Sequence, residues 1–499
     1  MVTCTKKYDH FPTTGRIFLK SRKKFIFLNK VVEKNLYRGY TSLERCDFMA
    51  GRYEIDMCNG RLFSKIIRCA LPVMAANILQ LLYNAVDIIV VGRYVGETAL
   101  AAVGSTSSLI NMIINVFIGI SVGASVVVAQ SVGAKDYNKS SDSCHTAIAI
   151  GLISGVFLMF FGIIACRPLL ILMGSPENVI DQATVYMRIY FCGMPAFMLM
   201  TYGSALMRTV GDTKRPLFYF SFSGILNVVL NLILVIKFNM GVAGVAIATI
   251  FSQYVSALLI LYALTHTDGH IQIHLKDLRI VKECLVGMIA KGLPAGIQSF
   301  IFGASNVIIQ SSINSFGSVV IAGSAAAANL EGFLYTAQNT YSVIATSFAG
   351  QNFGAKKYKR IDKTLVYCML TVFVIGVSIS TLIYTFSETL LGVYAPGNIE
   401  AISYGITRFR YILLTYFLCG LMEVTTGVIR GIGRSITPMI MSVIGVCGVR
   451  IMWVLTVFPK HRNLGSLFIS YPISWFVTLF MLIFAYLILR RKLFKKESL

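Results

Sequence analysis

The chain has 499 residues, of which 56% are hydrophobic and only 13% charged, and its mean hydropathy is +0.71. Those proportions exclude an ordinary water-soluble domain and describe an integral membrane protein. A formal net charge of +23 raises nucleic acid as a partner, but the basic residues collect in short loops and at the two ends of the chain, a pattern that sets membrane topology.

In chain order, residues 1 to about 60 come first, a basic segment containing Arg22-Lys23-Lys24-Phe25 and no apolar run of membrane length; it reads as a disordered cytoplasmic arm. From Ile66 onward, apolar runs of about 20 residues or more recur about twelve times, each long enough to cross the hydrocarbon core as a helix. They lie near 66–92, 104–130, 144–166, 183–208, 216–237, 241–265, 285–313, 319–348, 364–387, 403–429, 436–458 and 466–489. The fold class is therefore an all-α integral membrane protein of about 12 transmembrane helices. The loops after the even-numbered helices carry Lys135, Lys139, Arg208, Lys214, Arg215, Lys356, Lys357, Arg360, Arg430 and Arg434, whereas the odd loops hold few cations. The positive-inside rule makes the even loops and both termini cytoplasmic.

Eleven cysteines without any Cys-x-x-Cys suggest neither a disulfide framework nor a metal site. His266, His270 and His274 sit in a polar loop and read as a solvated face. No Walker, His-Glu-x-x-His or Gly-x-Ser-x-Gly motif occurs, so no ATPase, zinc-protease or hydrolase chemistry is signalled and no cofactor is expected.

The sequence is written twice, at an offset of about 222 residues. Leu71-Pro72 matches Leu293-Pro294. Ala129-Gln130-Ser-Val-Gly133-Ala134-Lys135-Asp-Tyr137 matches Gly350-Gln351-Asn-Phe-Gly354-Ala355-Lys356-Lys-Tyr358, and Leu206-Met-Arg208-Thr-Val-Gly211 matches Val428-Ile-Arg430-Gly-Ile-Gly433. Each copy holds six helices, an even number, so the two six-helix repeats are parallel and related by an axis along the membrane normal. Secondary transporters use such repeats to rock one bundle against the other around a midplane site. The expected organisation is an N-lobe over 61–265, a polar cytoplasmic linker over 266–284, a C-lobe over 285–490 and a basic tail over 491–499.

A carboxylate inside an apolar helix costs about 2.5–3.5 kcal/mol on insertion scales and normally faces a cavity or a partner. Asp87, in Leu82-Tyr-Asn84-Ala-Val-Asp87-Ile-Ile-Val-Val-Gly-Arg93, is one such acid. Asn84 is on its helical face, and Asn227 and Asn231 present two amides from one side of the fifth helix. Carboxylate, amide and hydroxyl oxygens suit Na+, and a buried acid suits H+; helix-to-helix hydrogen bonding is the open structural alternative. Glu423 in the tenth helix reads as the second intramembrane acid and Arg450 in the eleventh as an intramembrane base, with a Glu423–Arg450 pair expected from the adjacency of their helices. Arg188 and Arg410 read as snorkelling anchors. Gly119-x-x-x-Gly123 favours close helix packing without specificity.

Taken together, the Asp87 string, Gly-Ala-Lys135-Asp-Tyr, Leu-Met-Arg208-Thr-Val-Gly211-Asp212, Asn227-Val-Val-Leu-Asn231 and Gly241-Val-Ala-Gly-Val-Ala-Ile-Ala-Thr249 resemble the multidrug and toxic compound extrusion (MATE) family, and its bacterial DinF-like branch most. The resemblance covers roughly residues 58 to 490. It implies a two-lobe antiporter of the bacterial plasma membrane, monomeric and surrounded by lipid bilayer, that exports small organic cations in exchange for Na+ or H+ by alternating access. By the same resemblance, Asp87, Asn227, Asn231 and Thr249 form the ion site. The position of Asn231 is Asp in some members, and the seventh-helix Glu of other branches is absent from Pro294-Ala-Gly-Ile-Gln298. Asn84, Gln298, Glu423 and Arg450 remain candidates for substrate contact or gating. A flippase for lipid-linked saccharides is the alternative, and its phosphate-bearing substrate predicts a cavity rich in Arg and Lys.

Overall fold

A computed structural model describes residues 54–495 apart from 175, 176, 268 and 270. The helices are α1 (Leu62–Tyr94), α2 (Glu97–Gly133), α3 (Tyr137–Leu172), the two halves of α4 (Glu177–Cys192 and Met194–Thr209), α5 (Lys214–Leu232, continued by the wider π turn Ile233–Lys237) and α6 (Gly241–Thr265). The second copy runs α7 (Lys282–Asn314), α8 (Ser318–Gly354), α9 (Tyr358–Thr385), the two halves of α10 (Ile399–Tyr411 and Phe417–Gly431), α11 (Ile436–Ser442, π turn Val443–Gly448, Val449–Thr456) and α12 (Leu464–Phe468 and Ser470–Lys495). Ten of these are apolar and long enough to cross a membrane singly, and the bent pairs α4 and α10, kinked by 49° and 43°, bring the spans to twelve. Most of these helices extend past the apolar core read from sequence at one or both ends, whereas α6 keeps its expected bounds and α9 and α11 stop two residues short.

Two apolar cores result, one per lobe, yet α1 and α7 serve both. Leu62, Ile66, Cys69, Ala70 and Val73 at the start of α1 pack in the C-lobe core, while Val90 and Val91 at its end pack in the N-lobe core. In α7 the order is reversed: Cys284 and Met288 join the N-lobe, Ile309 and Ile313 the C-lobe. Each crossing helix carries its proline, Pro72 or Pro294, inside the helix.

The lobes meet at the end that bears the basic loops. A Cβ on Gly119 would lie 2.3 Å from the Gly296 nitrogen, and one on Gly123 would lie 2.2 Å from the Met288 carbonyl oxygen. The small-residue spacing that sequence left unspecific is thus the line on which α2 and α7 touch. Farther along, Gly133 and Gly354 let the two helix ends approach each other's backbone at Gln351 and Gln130. The left-handed residue in each of these turns is Lys135 (φ 57°) or Lys356 (φ 56°), so the glycines serve the approach and not the cap. Gln130 Nε2 donates to the Gly431 carbonyl at 2.8 Å, and Gln351 Nε2 donates to the Thr209 carbonyl. Those acceptors are equivalent in the repeat, so one hydrogen bond is made twice across the lobe boundary.

The expected disordered arm needs a correction at its last residues; residues 1–53 lie outside the described ones. Glu54 to Gly60 cross under both lobes. The Ile55 N–H donates to Val210 of the N-lobe at 3.0 Å. Met57 is fully buried, and its carbonyl accepts from Asn352 and Arg360 of the C-lobe at 3.2 and 3.0 Å. Lys357 Nζ reaches the Cys58 carbonyl at 3.0 Å and Asn59 Oδ1 at 2.6 Å. A segment with two large apolar side chains, Ile55 and Met57, and a run of carbonyls finds at this boundary both an apolar core and a set of cations. The linker, read as polar, also packs: Ile271 and Ile273 are buried, and Val281 N–H donates to Thr146 Oγ1 at 3.1 Å.

Candidate functional site

Asp87 stands in the second half of α1 and faces α5 and α6. The Asn231 amide donates to its carboxylate, and Asn231 also donates to Asn227 Oδ1 at 3.4 Å. Asn227 donates to Thr249 Oγ1 at 3.3 Å, and that hydroxyl lies within hydrogen-bonding reach of Asp87. The four residues named from the resemblance are therefore brought together. Asn84 is exposed and makes no hydrogen bond to them among the described residues. No Lys or Arg forms an ion pair with Asp87 among the described residues, and Asn231 Oδ1 is buried without a partner.

This network is drawn for an ionised acid receiving amide hydrogens. Turning the amides presents Asn227 Oδ1, Asn231 Oδ1 and Thr249 Oγ1 beside a carboxylate oxygen, a set of hard oxygen donors for a small cation. Protonating Asp87 instead supplies a donor for the orphaned Asn231 oxygen. Either change cancels the one charge in the cluster.

A second feature is a cavity of about 840 Å³ between the lobes, and the cross-lobe contacts at Gln130 and Gln351 close the basic end. Its walls include Ser121, Thr201 and Arg208 of the N-lobe and Gln298, Glu331, Tyr335, Arg408, Glu423, Arg430, Arg450, Tyr471 and Trp475 of the C-lobe, but not Asp87. The expected Glu423–Arg450 pair is not made. Arg450 donates through Nε to Ser474 Oγ at 2.9 Å and lies 4.0 Å from the Tyr471 ring centroid, while the base acting on Glu423 is Arg430. Adjacency of two helices does not fix which faces meet. Nor is Glu423 the second acid within the spans. Glu331 of α8 is buried and held by Arg408 in a two-pronged pair, Nε to Oε1 at 2.9 Å and Nη2 to Oε2 at 2.8 Å, with Arg408 Nη1 also on Ser324 at 2.8 Å. Arg410, read as an anchor, is exposed. Gln298 is buried and accepts from Arg430 Nη2 at 2.7 Å.

At the basic end, burial and the neighbouring Asp212 push the Glu54 carboxyl up to about 7, against the opposing charge of Arg215. Burial likewise raises Asp212, although Arg215 pairs with it. The Cys58 thiol is raised by burial and by Asp56, with Lys357 and Arg360 opposing.

Against known proteins, the MatE family model matches residues 72–233 and 294–456, one match for each repeat. The chain belongs to the MATE family. Among MATE relatives, it is 28% identical over 424 residues to "Probable multidrug resistance protein YoeA" of Bacillus subtilis, covering 83% of this chain and 91% of that one. It is 23% identical over 402 residues to "Multidrug export protein MepA" of Staphylococcus saprophyticus, 79% of this chain and 87% of that one. A solved outward-facing MATE transporter of the MOP superfamily overlays with a TM-score of 0.82 at 22% identity, over 88% of this chain and 98% of the other. A MOP superfamily transporter from Pyrococcus furiosus, described as having a binding pocket of reverse polarity, gives the same TM-score, identity and coverage.

Sequence reading passed over Glu331 and Arg408. The signal for Glu331 was the one used for Asp87, a carboxylate inside an apolar run, in Ala326-Ala-Ala-Asn329-Leu-Glu331-Gly-Phe-Leu334. Arg208 and Arg430 were counted as loop cations although both line the cavity.

Proposed function

We propose that this MATE chain exports small amphipathic compounds across the bacterial plasma membrane by alternating access, driven by inward flow of Na+ or H+ through the Asp87 site. The observation that carries this reading is a membrane-embedded carboxylate without a paired base among the described residues, wrapped by Asn231, Asn227 and Thr249, in a lobe that also walls the central cavity. A coupling ion must have different affinities in the two conformations. The carboxylate cluster supports that, because an ion changes its charge and turns its amides, and the altered packing of α1, α5 and α6 reaches the lobe boundary that α1 crosses.

With the basic end assigned to the cytoplasm by its cations, the closed end faces inward and the cavity opens outward. Relatives named for multidrug resistance and export support a broad substrate range, and organic cations are the substrates the family resemblance puts first. The test is efflux from proteoliposomes with a Na+ or an H+ gradient imposed separately. Wild type is expected to respond to one of them and Asp87→Asn to lose at least about tenfold of that response. Undiminished gradient-driven efflux by a well-expressed Asp87→Asn protein overturns the assignment.

A further inference from the structure

The charges on the cavity wall oppose the expected cationic substrate. Four arginines line it, Arg208, Arg408, Arg430 and Arg450, against two acids, Glu331 and Glu423. Glu331 is fully engaged by Arg408, so three guanidiniums remain for one carboxylate. Glu423 forms an ion pair with none of them among the described residues.

The free arginines are held as ligands are held. Arg450, 5% exposed, is braced on one side by the Tyr471 ring at 4.0 Å and lies 5.7 Å from the Trp475 centroid, and Ser474 fixes its Nε. Its Nη hydrogens have no protein acceptor among the described residues and are left to the cavity. Arg430 is anchored by Gln298 at 2.7 Å and keeps a buried Nε with no partner. Arg208, its equivalent in the other repeat, bonds Ser204 alone among the described residues, at 3.1 Å. A planar guanidinium with fixed orientation matches a carboxylate, sulfonate or phosphate through paired hydrogen bonds. Phe302, Tyr335, Tyr416 and Trp475 supply apolar surface for the rest of a molecule, and about 840 Å³ holds one of drug size.

We propose that the cavity binds the acidic group of an amphipathic organic anion, with Arg450 and Arg430 as its ligands, so that the exported class is anionic or zwitterionic. The proposal rests on the export reading for direction only, since it concerns an equilibrium in one conformation. Its test uses the full chain carrying Trp453→Phe, in which Trp475 is the one remaining tryptophan of two and reports on the cavity by energy transfer to a dansyl group. Dansylglycine, an anion, and dansylcadaverine, a cation, share the fluorophore and differ in charge.

Without any ion gradient, dansylglycine is expected to bind roughly tenfold or more tighter than dansylcadaverine. Arg450→Gln should abolish that advantage and Arg450→Lys keep part of it; monodispersity and thermal melting confirm folding, and Arg430→Gln carries the same expectation if Arg450→Gln does not fold. Short-chain phosphatidylglycerol in competition separates two sources of the acidic group. Displacement identifies a lipid headgroup, and displacement by soluble carboxylates alone identifies a free anion; both support the assignment. Preference of the wild-type chain for dansylcadaverine, or unchanged dansylglycine affinity in folded Arg450→Gln and Arg430→Gln, overturns it. Loss of gradient coupling in Asp87→Asn moves none of these binding readouts, so the two readings fail separately.

Discussion

Under the internal repeat, Asp87 of the N-lobe falls opposite Ile309 of the C-lobe, while Glu331, Arg408, Glu423 and Arg450 of the C-lobe fall opposite Ile110, Tyr186, Thr201 and Val228. By contrast Pro72 and Pro294, Gln130 and Gln351, Gly133 and Gly354, and Arg208 and Arg430 coincide. Most of the shared residues close the basic end, where the lobes use the same contact twice. The unshared ones carry the intramembrane acids together with Arg408 and Arg450, and of the cavity's charges only Arg208 and Arg430 are shared. Packing between two copies of one fold demands symmetry, and ligand chemistry does not, so divergence between the copies sorts residues by task. The N-lobe holds one acid in a neutral, oxygen-rich setting suited to a small cation. The C-lobe holds a surplus of guanidiniums beside aromatic rings.

The comparison breaks most visibly at Glu331. Replacing it by Gln leaves Arg408 buried with half its partners, a change that costs about 3–5 kcal/mol when one member of a buried pair is removed. A fall in melting temperature of several degrees is expected in detergent, and the double variant Glu331→Gln, Arg408→Gln should recover much of it. A single variant that melts with the wild type would mean that the C-lobe charges are not held as a unit. A smaller effect is expected from Gly123→Ala, whose added Cβ meets the Met288 carbonyl at 2.2 Å. Because the clash exists only while the lobes are closed there, the variant should favour the opposite conformation. Faster maleimide labelling of Cys58, in a chain whose other cysteines are replaced, reports this. Gly104→Ala, where an added Cβ meets nothing within 4 Å, is the control and should label at the wild-type rate.

Much of this was legible in the sequence. Hydropathy and the repeat gave twelve spans in two parallel copies because a bilayer admits little else. Asp87 stood out because a charge in hydrocarbon demands a reason. Glu423 and Arg450 were equally visible, but their pairing was inferred from neighbouring helices, and the rotation of a helix about its axis, which decides what a side chain meets, is not written in hydropathy. Arg208 and Arg430 were hidden by their position near helix ends, where a cation reads as topology. Segment 54–60 was hidden more deeply, since its carbonyls acquire partners only when Asn352, Lys357 and Arg360, some 300 residues away, come to them.

Two weaker contacts test whether the shared residues are truly equivalent. Gln130→Ala and Gln351→Ala each delete one of the two equivalent amide-to-carbonyl hydrogen bonds across the lobe boundary, of about 0.5–1.5 kcal/mol, and if those bonds dominate, their effects on melting temperature in detergent should be alike in size. A marked inequality would show that the side-chain oxygens matter too, and they differ: Lys291 donates to Gln130 Oε1 at 2.7 Å, whereas Gln351 Oε1 accepts from the Cys58 thiol at 3.8 Å, so the larger effect is expected at Gln130.

The smallest expected effect is set by pH at Glu54. Its carboxyl, held at about 7 against an ordinary 4.5 by burial first and Asp212 second, is neutral in the packed segment at pH values where the free segment is already ionised. Packing of 54–60 is therefore fully favoured below about 4.5 and weakens as pH rises through about 7. Hydrogen exchange at Ile55, whose N–H is bonded to Val210, measures this once intrinsic exchange rates are divided out. Protection is expected to fall between those two pH values in the wild type and to stay flat in Glu54→Gln. Because the segment touches both lobes, the same rise in pH should ease their separation at the basic end, and a Glu54→Gln chain that keeps the wild-type pH response would shift the cause to Asp212.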